Sequence, residues 1–321
     1  MHPAYSVILF TCASGAGYGL LFWLGVWSLT GVTTFYPMFF GGALIVALAL
    51  ITIGLVSSTF HLGRPERAWR ALSQWRTSWL SREGVAAIAT FVPAGVLGLQ
   101  WVLDLDVGPE ARAIAAVLAA AGAVTTVWCT GMIYGSLPTI RAWSHPLVAP
   151  LYLALGLATG GLLTAALMAL FGLAPQRAVL FTLPMLAVAW IMKGAYWSAI
   201  DEGQSVHTLA TATGLGMRDG VPVTVRTLDP PHTQANYVMR EMGFSIARRH
   251  AAKLRRLAML ALFLVPSLIL LALLRLGPSP FDLPLSLVAV LSATSGVLAE
   301  RWLFFAEARH VAMLYYGADG A

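Results

Sequence analysis

Eight long apolar runs, nearly free of charged residues, constrain this chain more than any other feature. They cover residues 7–29, 37–60, 84–103, 113–134, 146–172, 178–200, 257–274 and 284–302. An α-helix of about 20 apolar residues crosses the roughly 30 Å hydrocarbon core of a bilayer. The runs are continuously apolar rather than alternating, which disfavours the strands of a lipid-facing barrel. The sequence therefore predicts an all-α membrane protein, a bundle of eight transmembrane helices in one integral membrane domain over residues 1–321.

The basic residues between these runs indicate how the bundle is oriented. Only 11% of the residues are charged, against about 25% in an ordinary soluble domain. Sixteen of the 20 Lys and Arg fall in the even-numbered loops and the C-terminal tail, whereas Arg112, Arg177 and Arg275 fall on the other side. By the positive-inside rule, both termini and the even loops face the cytoplasm. The net charge of +6 then follows from topology, and no nucleic-acid partner is expected because there is no separate basic domain.

Few side chains in the sequence could hold a metal or a redox cofactor. The two cysteines, Cys12 and Cys129, lie inside separate apolar runs, so they form neither an iron–sulfur cluster nor a zinc site. The seven histidines fall at helix ends or in cytoplasmic segments, which argues against a haem held between two histidines in mid-membrane. We therefore expect no metal, no haem and no iron–sulfur cluster in this chain.

Two other classes of membrane protein are alternatives. A solute transporter is expected to carry polar residues at the bilayer midplane, and Lys193 is the residue that comes nearest to this. Because Lys193 lies about two turns before the end of the sixth run, we expect its ammonium group to reach the cytoplasmic surface. A proton pump needs a proton path across the bilayer. We expect the spans to contain no acidic residues that could form such a path. The step from Gly15 to Gly19 is expected to serve close helix packing.

One short segment, SSTFHLGRPERAWRALSQWRTSWLSRE at residues 57–83, gathers an unusual share of the charge. The second span ends within it, and Pro65 prevents the helix from continuing, so His61 and Arg64 are expected at the membrane edge. Apolar residues recur at helical spacing between positions 66 and 75, which predicts a short interfacial helix. Ser81 is expected to cap the third span and to place Glu83 in its first turn.

The segment has a structural and a functional interpretation. Topology alone accounts for Arg and Trp in a cytoplasmic loop, and a glutamate is favourable at any helix N-terminus. Alternatively, these residues form a quinone pocket, in which His61 exchanges protons and Arg64 stabilises an anionic quinone oxygen. Glu83 would relay protons to the cytoplasm. Weaker candidates for the same pocket are Ser14, Tyr18 and Tyr134.

Three parts of the sequence resemble a known family. They are HPAYSVILFTCASGAGYGLLFWLG, HLGRPERAWRALSQWRTSWLSREG and HTLATATGLG, which are similar to membrane-anchor subunits of dimethyl sulfoxide reductase-type molybdoenzymes. The resemblance spans the whole chain. It implies a haem-free anchor in a bacterial inner membrane that binds quinone and docks an iron–sulfur subunit, which in turn contacts a molybdopterin catalytic subunit. The histidine and the acidic residue of the family's quinone site correspond to His61 and Glu83.

Within this family, the N-terminal pattern is most similar to the anchor of quinone-linked cytoplasmic sulfite dehydrogenases. That similarity implies oxidation of sulfite by the partner and reduction of ubiquinone rather than menaquinone. A dimethyl sulfoxide or other S- or N-oxide reductase would pass electrons in the opposite direction. The anchor does not touch the oxidised or reduced substrate, so its residues leave both directions open.

The loop at residues 201–256 is the large non-membrane segment of the sequence, and loops of such length are commonly functional. We expect it to pack with the Arg-rich second loop beneath the iron–sulfur subunit. A solvated loop that only keeps positive charge on one side is the alternative. The residues expected to dock the partner are Arg67, Arg70, Arg76, Arg82, Arg218, Arg226 and His232.

Overall fold

The computed structural model describes residues 4–30, 36–60, 62–202, 207–229, 234, 236, 239 and 246–316, without the side chains of residues 246–249. Within these residues the chain is mostly helical, and eight helices are long and apolar enough to cross a membrane. The helical fold class is thereby confirmed, and the eight predicted spans correspond to eight candidate membrane-spanning helices. His61 and His232 lie outside the described residues, so their predicted roles stay predictions.

Six of the long helices follow one another along the first two thirds of the chain. They are α1 (Tyr5–Ser28), α2 (Pro37–Thr59), α3 (Trp79–Trp101), α4 (Pro109–Gly135), α5 (Val148–Leu170) and α6 (Gln176–Glu202). Shorter elements come next: α7 (Leu209–Thr213) and the two-residue strands β1 (Met217–Arg218) and β2 (Val221–Pro222), which pair antiparallel. The seventh span consists of α8 (Ile246–Met259), a π-helical turn (Leu260–Leu264) and α9 (Val265–Leu276), and the eighth is α10 (Asp282–Ala306).

The seventh helix begins earlier than the sequence pattern predicts. Hydropathy placed its start at residue 257, but the helix already begins at Ile246, within the predicted loop at residues 201–256. The added turns carry several basic residues, which a helix tolerates well outside the hydrocarbon. The π-helical turn directly precedes Pro266. Since proline lacks the backbone N–H that the preceding turn needs, a local change of helix type accommodates it.

The first helix lies at the centre of the bundle and contacts α2, α4, α5 and α10. Its closest approach is to α5, where a Cβ added at Gly19 would collide with the backbone of Gly156, and one added at Gly160 would collide with the backbone of Gly19. Trp23 Nε1 also donates a 2.9 Å hydrogen bond to the carbonyl of Leu157. The expected packing role of the small residues in α1 is thereby confirmed at Gly19.

We expect Gly160→Val to lower the yield of folded protein severely, because the atoms that the new side chain would meet belong to backbone and cannot move aside. Overpacking of this kind typically costs about 1–3 kcal/mol, occasionally more. Gly15→Ala is the matched control, since nothing lies within 4 Å of a Cβ at Gly15. Thermal unfolding in detergent checks both variants, and equal midpoints would contradict the packing role.

Candidate functional site

The segment between α2 and α3 joins the ends of three helices. Ser57, in the last turn of α2, donates a 2.9 Å hydrogen bond to the carbonyl of Ser6 in α1. Beyond α2, Pro65 opens a 3₁₀-helix, Pro65–Gln74, where the sequence predicted a short helix. Ser81 lies inside α3 rather than at its N-cap, because α3 begins at Trp79, and its hydroxyl donates to the carbonyl of Ala71. The predicted capping role of Ser81 is therefore wrong, and its hydroxyl joins α3 to the 3₁₀-helix instead.

The arginines of this segment divide into two groups. Arg64, Arg67, Arg70 and Arg76 are exposed, and the guanidinium groups of Arg70 and Arg76 lie 5.5 and 5.6 Å from the neighbouring rings of Trp69 and Trp75. Both indoles are themselves more than half exposed. In contrast, Arg82 donates to the carbonyls of Trp75 (3.0 Å) and Arg76 (2.7 Å). Arg82 thus stabilises the turn before α3, while the other arginines remain accessible.

Glu83 is buried, with 4% of its surface exposed. Because α3 begins at Trp79, Glu83 lies in the second turn rather than in the first turn predicted from the sequence. Its side chain points into the bundle, where the hydroxyl of Thr130 in α4 contacts Oε1. A buried carboxyl group with a single polar contact is costly in a membrane protein. The helix-dipole interpretation of Glu83 is therefore insufficient, since a carboxylate that only stabilises a helix N-terminus has no need to be buried.

The contacts of Thr130 suit a carboxyl group that gains and loses a proton. The Thr130 hydroxyl lies within hydrogen-bonding distance of Glu83 Oε1 and also 3.0 Å from the carbonyl of Thr126, yet a hydroxyl has one proton to donate. When Glu83 is ionised, Thr130 donates to the carboxylate. When Glu83 is protonated, the carboxyl donates to Thr130, which donates to Thr126. Both protonation states therefore keep their hydrogen bonds.

The three weaker candidates are all buried close to this region. Tyr18 is 1% exposed and lies near Glu83. Ser14 donates a 2.7 Å hydrogen bond to the carbonyl of Phe10 within its own helix. Tyr134 belongs to an aromatic cluster, stacked on Tyr152 with ring centroids 5.8 Å apart. Of the three, Tyr18 and Tyr134 lie near Glu83, whereas Ser14 has a local contact that any helical serine can make.

A second group of ionisable side chains lies deeper in the bundle, between α5, α6 and α10. Lys193 and Glu300, each 1% exposed, form an ion pair. Arg301, 3% exposed, places Nε 3.2 Å from Glu300 Oε2, and its guanidinium lies 3.7 Å from the ring centre of Tyr152. Lys193 also faces the ring of Trp197, at 4.5 Å. Two cations and one anion are therefore enclosed in the bundle.

This group continues toward the end of the bundle where α6 and α10 terminate. Arg255 bridges two carboxylates, with Nη1 2.6 Å from Asp201 Oδ2 and Nε 3.0 Å from Glu307 Oε1. Its guanidinium lies 5.3 Å from the Trp197 ring, which Lys193 contacts as well. Burial raises the pKa of the Glu307 carboxyl above its usual range, while the hydrogen bonds and charge of Arg255 oppose the rise. Asp201 is largely exposed, so the row of charges reaches water.

These contacts correct two interpretations of the sequence. Lys193 does not extend to the membrane surface, because its ammonium group is held by Glu300 inside the bundle. The spans do contain acidic residues, since Glu83 lies in α3 and Glu300 in α10. The eighth apolar run ends with residues 300–302. Hydropathy therefore places Glu300 and Arg301 at the edge of the membrane rather than inside the bundle. The opposite charges of Lys193 and Glu300 could have suggested an ion pair. Spacing along the chain, however, does not show which residues on different helices are in contact.

Most residues of the described segment 207–229 of the large loop are exposed. Arg218 lies in β1 and Arg226 follows β2, and both side chains are accessible. Hydrogen bonds tie this segment together through Thr208 and Thr211, which form a capping box at the start of α7. The expected docking residues Arg67, Arg70, Arg76, Arg218 and Arg226 are thus all exposed.

Comparison with known proteins identifies the family of this protein. Residues 1–317 match the family described as DMSO reductase anchor subunit (DmsC). The protein belongs to this family. It is 33% identical to a sulfite dehydrogenase subunit of Allochromatium vinosum over 336 aligned positions, which cover 98% of this sequence and 99% of that protein. It is also 28% identical to a polypeptide of the anaerobic dimethyl sulfoxide reductase of Escherichia coli over 142 positions, 36% of this sequence and 48% of that protein.

The predicted resemblance to this anchor family is confirmed over nearly the whole chain. Among the residues of the anchor subunit that the structure describes, no group of three or more His, Cys, Asp or Glu could hold a metal ion. Its buried ionisable side chains include Glu83, Lys193, Glu300 and Arg301. The sequence pointed to Glu83 as a candidate site residue, but it did not reveal the contact with Thr130 or the interior position of Lys193, Glu300 and Arg301.

Proposed function

We propose that this anchor subunit exchanges electrons and protons between a quinone and an iron–sulfur partner subunit, which contacts a molybdopterin catalytic subunit. The observation that carries the proposal is the buried Glu83, whose contact with Thr130 serves both protonation states. Reducing a quinone takes two electrons and two protons, so its site needs a group of this kind. His61 is proposed as a second proton-exchanging group, and Arg64, an exposed cation, as the stabiliser of an anionic quinone oxygen.

The partner surface is proposed to lie on the same end of the bundle. Exposed arginines of the 3₁₀-helix and of the β1–β2 segment offer a positively charged face with two exposed indoles, a composition typical of protein interfaces. The 3₁₀-helix is proposed to lie in the membrane interface, with His232 contributing to docking. By the positive-inside rule this face is cytoplasmic and both termini lie in the cytoplasm of a bacterial inner membrane.

Sulfite oxidation with ubiquinone reduction is the reaction we propose for the complex. The support is the similarity to a sulfite dehydrogenase subunit across 98% of the sequence. The partial match to a dimethyl sulfoxide reductase polypeptide supports, more weakly, the opposite direction, oxidation of a quinol. The purified complex distinguishes the two: sulfite-dependent ubiquinone reduction supports the first, and dimethyl sulfoxide-dependent quinol oxidation supports the second. A protein that purifies alone and moves a solute would instead be a transporter.

Replacing Glu83 with glutamine is expected to slow quinone turnover about 10²-fold, because an amide keeps the shape and the Thr130 contact but cannot carry the proton. Assembly of the complex should change much less. Thr130→Val removes the contact and should also slow turnover, whereas Thr130→Ser keeps the hydroxyl and is the control. A Glu83→Gln complex that fails to assemble but turns over normally per assembled particle would support a purely structural role.

A further inference from the structure

The buried row of charges at Lys193, Glu300 and Arg301 has no part in the proposed quinone site. Removing ions from water is costly, and apolar residues of similar size usually give equal or better stability. Ionisable residues inside a membrane protein therefore generally mark a path or a site rather than a packing solution. The groups at the two ends of this row of charges indicate its function.

One end of the row reaches water. Asp201, with 59% of its side chain exposed, lies 2.6 Å from Arg255, which also holds Glu307. Glu307 interacts electrostatically with Lys193, whose ammonium is bonded to Glu300. Burial raises the pKa of the Glu307 carboxyl above its usual range. The row thus begins with a partly exposed carboxyl group that Arg255 joins to the water-accessible Asp201.

The other end reaches a small polar cavity between α1, α4, α5 and α10. Arg301, Tyr152 and Thr130 line it, and its volume of about 10 Å³ holds about one water molecule. Tyr152 Oη is buried and has no hydrogen-bond partner among the described residues. A water there would have the two or more polar partners that buried waters need. Thr130 lines this cavity and also contacts Glu83.

We propose that this row is the proton path between the aqueous face and Glu83, running from Glu307 through Lys193 and Glu300 to Tyr152, the cavity water and Thr130. The proposal rests on the proposed quinone function and deepens it. Both ends of the path lie in the same half of the bundle, since the N-terminal end of α3 and the C-terminal ends of α6 and α10 share one side.

One complete transfer starts from a protonated Glu307, moves one proton along the row and restores the charge of every group. Lys193 gives a proton to Glu300 and regains one from Glu307, which regains one from water. Glu300 passes its proton through the Tyr152 hydroxyl and the cavity water to Thr130 and Glu83. Arg255 and Arg301 keep their protons at all accessible pH values, so they act as fixed charges. Every proton that Glu83 delivers to a quinone oxygen is thereby replaced, and quinol oxidation runs the path in reverse.

The test uses the complete purified complex carrying the double substitution Lys193→Met and Glu300→Met, which replaces the ion pair with apolar side chains of similar length. We expect the complex to assemble and to bind quinone with unchanged affinity. Quinone turnover, and proton uptake followed with a pH-indicating dye, should both fall tenfold or more. Asp282→Asn is the matched control, a carboxyl at the opposite end of α10, and should leave both rates unchanged. Wild-type rates in the assembled double variant would overturn the proposal.

Tyr152→Phe provides an independent test that does not remove a charge. The ring remains beneath Arg301, but the hydroxyl is lost, so turnover should fall several-fold and its solvent deuterium isotope effect should increase. An unchanged rate and isotope effect would also overturn the proposal. Failure of the proposed function can be distinguished from failure of this inference. In the first case the wild-type complex would not reduce quinone, or His61→Ala would leave quinone turnover intact. A wild-type complex that needs His61 but not the row would contradict this inference alone.

Discussion

His61→Ala is expected to reduce quinone turnover of the complex about 10²-fold or more, the usual contribution of a positioned acid–base group. An unperturbed histidine titrates near neutral pH, and alanine can neither donate a hydrogen bond to a quinone oxygen nor pass a proton to it. Because the change is local, the complex should still assemble with its partner subunits. Turnover is measured with a short-chain ubiquinone and the electron donor of the partner, alongside the amount of assembled complex.

His310→Ala is the matched control for this variant. His310 lies after α10, where its Nδ1 accepts a 3.0 Å hydrogen bond from the backbone N–H of Ala312. Losing this contact affects one turn of 3₁₀-helix and should not alter turnover. Equal turnover of the His61→Ala and wild-type complexes would remove His61 from the site, and a loss shared by both histidine variants would point to general destabilisation.

Glu300→Met alone is expected to destabilise the subunit strongly, by about 3–5 kcal/mol, because Lys193 and Arg301 would both keep their charges inside the bundle without the carboxylate that they share. Adding Lys193→Met should recover part of this loss, since the double variant keeps only one cation of the group, Arg301 over the ring of Tyr152. The two substitutions are therefore predicted to be strongly non-additive. Thermal unfolding of the purified subunit or complex in detergent measures both, together with the yield of assembled complex.

Additive effects of the two substitutions would show that Lys193 and Glu300 do not depend on each other for stability. The single Lys193→Met variant completes the cycle. It leaves Glu300 with Arg301, whose Nε lies 3.2 Å from Oε2, so the buried carboxylate still has a cationic partner. We therefore expect Lys193→Met to be less damaging than Glu300→Met.

The number and class of the helices could be predicted from the sequence because hydropathy is local. A long uncharged apolar run indicates a membrane span regardless of the segments that surround it in the sequence. Helix starts were less predictable: Glu83 lies a turn deeper than expected because α3 begins at Trp79, and the seventh span starts at Ile246 because polar residues also extend helices. Neither shift leaves a signature in hydropathy.

The candidate site was predictable only where one segment contains it. Glu83 stood out because it lies near the start of a span beside a charged loop, whereas its contact with Thr130 joins residues 47 positions apart. Lys193 and Glu300 are 107 positions apart. Each alone is consistent with a helix end, and they meet only because α6 and α10 both pack against α5. Pairing across helices is a property of tertiary structure, which one sequence does not display.

The central position of α1 bears on how the subunit is synthesised. It precedes every other long helix of this sequence, yet it packs on α5 at Gly19 and approaches α10, where Cys12 Sγ lies 3.8 Å from the carbonyl of Val297. These partners are therefore synthesised later than α1, and the bundle can close only after α10 has been made. Until then α1 presents bare glycines to lipid or to the insertion machinery. Topology reporters fused to truncated chains would sample this unfinished state, so a reporter on the full-length protein is the sound choice.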